Sequence, residues 1–183
     1  MKPRLATPRL TPLPESEWTQ QQREEITRGN PPRILNIFRT LIRHPDLYRR
    51  WMPFGNHVLF KSSLPPRERE LAILRVGWLC RSAYEFHQHT RVGKAAGLSD
   101  ADIERVKTGP RDSAWTPAER VLLQAVDELH ADQFVTDATW KALGSHFSEH
   151  QLIDLVFAVG QYTMVSMALN TLGVQIEDEA AKS

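Results

Sequence analysis

Helix-start signatures recur along this chain and constrain its fold class more than any other feature. Ser82 is followed three residues later by Glu85, Ser99 by Asp102, Thr116 by Glu119 and Ser148 by Gln151. A hydroxyl paired at that spacing with an acid or amide can satisfy two orphan amides of a first helical turn at once. Asn30 before Pro31 reads as another start, with proline where its missing N–H costs nothing. Between the starts the apolar residues fall at helical spacing: Ile34, Leu35, Ile37, Phe38, Leu41 and Ile42 in one segment, and Leu71, Ile73, Leu74, Val76 and Leu79 in another. No segment alternates with period two between hairpin turns. The expected fold is all-α.

The pattern predicts a helix after Asn30 that Pro45 breaks, then one or two helical pieces over Asp46 to Phe60 around Pro53 and Gly55. Ser62 or Ser63, with Pro65 and Pro66, opens the next helix. Another runs from Ser82 to about Ala96 and stops at Gly97; a short one ends near Gly109. Thr116 starts a helix to about Ala131, Thr136 a shorter one to about His146, and Ser148 a long one to about Leu172. This divides the chain into a proline-rich arm and lead-in (1–29), a helical domain (30–173) and an acidic tail (174–183) expected to be mobile. Pro3, Pro8, Pro12 and Pro14 make the start of the arm extended and able to lie across a neighbouring subunit.

Composition narrows the classes of function. At 183 residues one domain is expected. A net charge of +1 without a long basic run predicts no nucleic-acid partner. The most apolar stretch, Leu152 to Leu169, is interrupted by Asp154, Gly160 and Gln161 and reads as a core helix, so no membrane span is expected. The one cysteine, Cys80, excludes an intrachain disulfide, and with no signal-peptide run at the start a cytoplasmic location is the expectation.

The chemistry concentrates between Arg67 and Leu98. Ser82, Glu85 and His89 stand at i, i+3 and i+7, on one helical face, so a hydroxyl, an acid and an imidazole line up for proton transfer. Glu70 would lie about 18 Å from Ser82 on a straight helix and can join His89 only if the chain bends near Leu79 to Ser82. Glu85 can serve merely as a cap, and His89 as a packed residue. Tyr84 and His57, the latter in a loop-like Gly-Asn-His context, are candidates to touch a substrate, with Trp51 and Phe54 as pocket walls or core. Glu85, His87 and His89 diverge at i, i+2 on a helix, so no metal site is expected. Phosphate-loop, dinucleotide-loop and serine-elbow patterns are absent.

The phrase RERELAILRV, then YEFHQH, then AAGLSDADIERV resembles the carboxymuconolactone decarboxylase family, which includes alkylhydroperoxidase D-like (AhpD-like) proteins. The resemblance implies a multi-helix fold of that type and a homo-oligomer, commonly a trimer or hexamer. In the peroxidase branch the motif is a glutamate followed by C-x-x-C-x-x-x-H. Here those positions are Glu70, Ser82, Glu85 and His89, and both thiols a dithiol peroxide cycle needs are missing. Cys80 stands alone and does not restore the pair. The resemblance therefore favours the decarboxylase branch: a lyase without metal or organic cofactor, acting on a small acidic or lactone substrate of aromatic breakdown. His89 with a near-neutral pKa would be its general acid/base, and Glu70 and Glu85 would orient it. Ser82, Tyr84 and His57 would contact the substrate, and Arg67 or Arg75 would hold its carboxylate. The alternatives are an antioxidant protein with a reactive Cys80 and a non-catalytic oligomeric binding protein.

Overall fold

The computed structural model describes residues 1–28, 31 and 33–177, and among them it contains helices and no strand. In chain order the α-helices are α1 (Gln20–Ile26), α2 (Asn36–Leu41), α3 (Pro45–Phe60), α4 (Pro66–Leu79), α5 (Ala83–Ala95), α6 (Asp100–Thr108), α7 (Pro117–Asp132), α8 (Asp137–Leu143) and α9 (Glu149–Leu172). Helix α4 is the hub, packed against α5, α6, α7 and α9. Its Leu71 to Leu74 and Val76 are fully buried and meet Leu122, Leu123 and Val126 of α7 and Leu155 and Ala158 of α9 in one core. Burial of that apolar surface dominates the stabilisation of such a bundle.

The local signals explain the boundaries. Ser99–Asp102, Thr116–Glu119 and Ser148–Gln151 form reciprocal capping boxes. A fourth, Thr19–Gln22, opens α1 in a segment expected to be only lead-in. The start expected at Asn30 lies outside the described residues; α2 begins later, at Asn36, with Leu35 as its N-cap. Of the one or two pieces expected over Asp46 to Phe60, the structure has one. Pro45 opens one continuous helix that carries Pro53 within it.

The termini are held to the body. In the extended arm Arg9 and Leu10 donate backbone hydrogen bonds to the Leu172 carbonyl and Leu13 to that of Arg39, while Arg43 donates to Thr11 O. Over these residues the arm lies along its own chain. The tail is also packed as far as it is described, contrary to the mobile segment expected: Val174 is buried, and Glu177 accepts hydrogen bonds from the Asn36 amide at 2.7 Å and the Tyr84 hydroxyl at 2.6 Å. Residues 178–183 lie outside the described residues. Helix α9 is long and apolar enough to cross a membrane (mean hydropathy 1.6), but half of that stretch is buried inside the protein, as in a core helix.

Candidate functional site

The site forms where the chain bends between α4 and α5. Helix α4 ends at Leu79, Arg81 takes a left-handed φ of 53°, and α5 starts at Ala83. The bend folds α5 back along α4. The two helices pack closely at Gly93, where a Cβ would lie 3.3 Å from Leu74 Cδ1 of α4 and 2.9 Å from Leu98 Cδ1. Glu70, one turn into α4, and His89, in the middle of α5, are thereby brought together.

His89 is held at both ring nitrogens. Nδ1 lies 2.7 Å from Glu70 Oε2, and Nε2 lies 2.9 Å from Glu85 Oε1. The second contact is an ion pair off the N–H axis, because Glu85 Oε1 has no hydrogen-bond partner. Glu70 is fully buried, and Glu85 and His89 nearly so. The Tyr162 ring of α9 closes over the imidazole edge-on, with centroids 4.8 Å apart. Arg69 donates from Nε to Glu70 Oε1 at 3.1 Å. Burial by itself opposes the imidazolium, but the Glu85 charge, with the hydrogen bond and charge of Glu70, outweighs it and raises the His89 pKa to about 10. The near-neutral pKa expected for His89 from sequence is thus displaced upward by its two acidic neighbours.

The other candidates lie in different surroundings. Ser82 is the N-cap residue of α5, but its side chain makes no cap bond, and its buried Oγ has no partner. Its ψ is 95°, against 163° at Ser99 and 164° at Ser148, so the hydroxyl is turned from the amides it would cap. Glu85, expected as the other half of that box, faces His89 instead. The Tyr84 hydroxyl is spent on Glu177 and on the Ile37 amide; burial and the Glu177 carboxylate raise its pKa. His57 is not in a loop but in the last turn of α3, exposed, with Nε2 3.9 Å from Asp154 Oδ1. Neither proposed arginine is free: Arg67 binds Glu119, Asp102 and the Gly97 carbonyl, and Arg75 binds Asp127 and the Val106 and Lys107 carbonyls. Cys80 Sγ faces His130 Nδ1 at 3.7 Å, and burial raises its thiol pKa. Arg69 and Tyr162 were not among the residues singled out from sequence. Arg69 could have been found as the cation adjacent in sequence to Glu70; Tyr162, 73 positions beyond His89, carries no local signal. Among the described residues no three His, Cys, Asp or Glu side chains converge as metal ligands.

Residues 45–128, which hold the whole α4–α5 bend, match the carboxymuconolactone decarboxylase family. Over that segment the chain is similar to this family, and the fold around it is AhpD-like. Its fold is shared with an alkylhydroperoxidase AhpD core protein, an uncharacterized peroxidase-related protein from Ralstonia eutropha JMP134, at 20% identity over 95% of each chain and a TM-score of 0.79. A peroxidase-related protein from Silicibacter sp. TM1040 aligns at 17% identity over 100% of this chain and 98% of the other, with a TM-score of 0.75. The debrominase Bmp8, in a complex with 2,3,4-tribromopyrrole, aligns at 14% identity over 92% and 91%, with a TM-score of 0.76. No curated protein matches the chain. At these identities the structural likeness speaks for the AhpD-like fold.

Proposed function

We propose that this protein is a cofactor-independent carbon–carbon lyase of the carboxymuconolactone decarboxylase type, acting on a small acidic lactone from aromatic breakdown, with His89 as general acid. The observation that carries this reading is the buried His89 ring held between Glu70 at 2.7 Å and Glu85 at 2.9 Å. Loss of carbon dioxide breaks the bond from the lactone ring to its carboxylate. The electron pair moves through the ring double bond toward the lactone carbonyl and leaves a dienolate. That carbanion equivalent needs one proton, and His89 supplies it. Nδ1 is committed to Glu70, whereas the Nε2 proton is off-axis to Glu85 and is the one free to transfer. The resulting neutral imidazole regains its proton from water, favoured by the two flanking carboxylates.

Ser82 and Glu85 stand where the peroxidase motif has its two cysteines, which argues against a dithiol cycle, and Cys80 faces His130 rather than His89. A homo-oligomer, trimer or hexamer, is part of the reading. Ile153, Val156, Phe157, Met164 and Met167 stand exposed at helical spacing along α9, with Phe54 of α3 edge-on to Phe157. A cytoplasmic location belongs to it too.

The test is loss of γ-carboxymuconolactone followed by ultraviolet absorbance without added metal, for wild type and a folded His89→Ala protein together. Turnover that collapses in the variant supports the lyase. No turnover by wild type rejects this substrate. Equal turnover by both moves the chemistry off His89.

A further inference from the structure

We infer that Arg69 is the specificity-determining anchor of the site, binding the carboxylate that the substrate keeps, so that the enzyme takes lactones bearing two carboxylates and discriminates against those bearing one. This rests on the lactone-acid reading above. Three observations carry it. Arg69 is the arginine bonded directly to the Glu70–His89 pair, through Nε to Glu70 Oε1. Its two terminal nitrogens make no hydrogen bond among the described residues, yet they are not sealed from solvent. Its side chain is only 11% exposed, so the guanidinium is held in place and its open edge lies at the rim of an otherwise buried cluster. A guanidinium fixed at one edge and open at the other is preorganised for bidentate capture of a carboxylate.

The chemistry says which carboxylate that is. An ion pair on the departing carboxylate would stabilise the ground state and oppose release of carbon dioxide. An ion pair on a carboxylate that stays holds the substrate equally before and after the bond breaks. γ-Carboxymuconolactone has both groups, one on the ring carbon and one on an acetate arm.

The test separates binding from turnover. The saturated lactone diacid lacks the ring double bond and cannot decarboxylate through a dienolate. It and its monomethyl ester at the acetate arm would be titrated calorimetrically into wild type, Arg69→Gln and Arg69→Lys, each checked for fold by circular dichroism. Wild type should bind the diacid at least ~10-fold more tightly than the ester, Arg69→Gln should erase that preference, and Arg69→Lys should keep part of it. With γ-carboxymuconolactone, Arg69→Gln should raise KM about 10-fold or more with little change in kcat. Equal binding of diacid and ester by wild type, no binding of either, or a loss confined to kcat would overturn the inference; the last would make Arg69 a support for Glu70. A wild type that prefers the diacid through Arg69 but turns nothing over would sink the decarboxylation reading and leave the anchor standing.

Discussion

Helix α4 carries two buried charged clusters less than two turns apart, and they are finished differently. Arg75 has four of its five donors engaged: Nε and Nη2 fork onto Asp127 at 2.6 and 2.8 Å, and Nη1 reaches the Val106 and Lys107 carbonyls at 2.8 and 2.9 Å. Each of its three nitrogens has a protein partner. Around His89 the accounts stay open: Glu85 Oε1 lacks a hydrogen bond, and the outer edge of Arg69 has no protein partner among the described residues. Burial of charge alone therefore does not mark a functional site, because a saturated cluster is bracing. Unused hydrogen-bonding capacity beside a clamped proton donor is what a substrate can exploit.

The largest effect that tests this contrast is on turnover. His89→Gln keeps a polar group between the carboxylates but offers no proton to a dienolate. Its kcat/KM toward γ-carboxymuconolactone should fall by about 10²–10⁴-fold, measured by ultraviolet absorbance. A drop below threefold would put His89 with Arg75 among the braces. Conversely, Arg75→Met should cost about 3 kcal/mol of stability in urea unfolding, the lower end for breaking a buried pair since Asp127 keeps some solvent. Its kcat/KM under native conditions should stay near wild type, and a large loss there would erase the distinction between the clusters.

pH sharpens the comparison further. The folded-state pKa of His89, about 10, lies above the ordinary value of 6.5. Between those two values the folded state binds more protons than the unfolded one. The stabilisation from His89 is therefore complete below about pH 6.5 and is lost as pH rises toward 10. Wild type and Arg75→Met should lose stability along the same slope between pH 7 and 10, while His89→Gln should be flatter. As a general acid, His89 should also hold kcat/KM on a plateau through neutral pH and let it fall only toward pH 10. A fall centred near pH 6.5 would mean that the carboxylates do not hold the proton.

What was legible in the sequence was local. The boxes at Ser99, Thr116 and Ser148 act within four residues and formed as written. So did the shared face of Glu85 and His89, which is a matter of helical spacing. The meeting of Glu70 and His89 depended on the Arg81 bend and the close packing at Gly93, and the spacing of the residues left it open. The sequence leaves Tyr84 either a substrate contact or a packed aromatic, because Glu177, which takes its hydroxyl, lies 93 positions away. Arg67 and Arg75 were equally plausible anchors until their distant acids were placed.

The smallest effect concerns Ser82, where a local rule lost to a tertiary one. Glu85 is drawn to His89, Ser82 has a ψ of 95°, and the box does not close. A cap serine normally contributes about 1 kcal/mol, so Ser148→Ala should cost that much. Ser82→Ala deletes no hydrogen bond and removes a buried unpartnered hydroxyl, so it should be neutral or stabilising by up to ~1 kcal/mol. Paired thermal unfolding of the two variants checks this. A cost at Ser82 equal to that at Ser148 would show that the hydroxyl does have a partner, and would place it with the saturated cluster rather than with the open one beside His89.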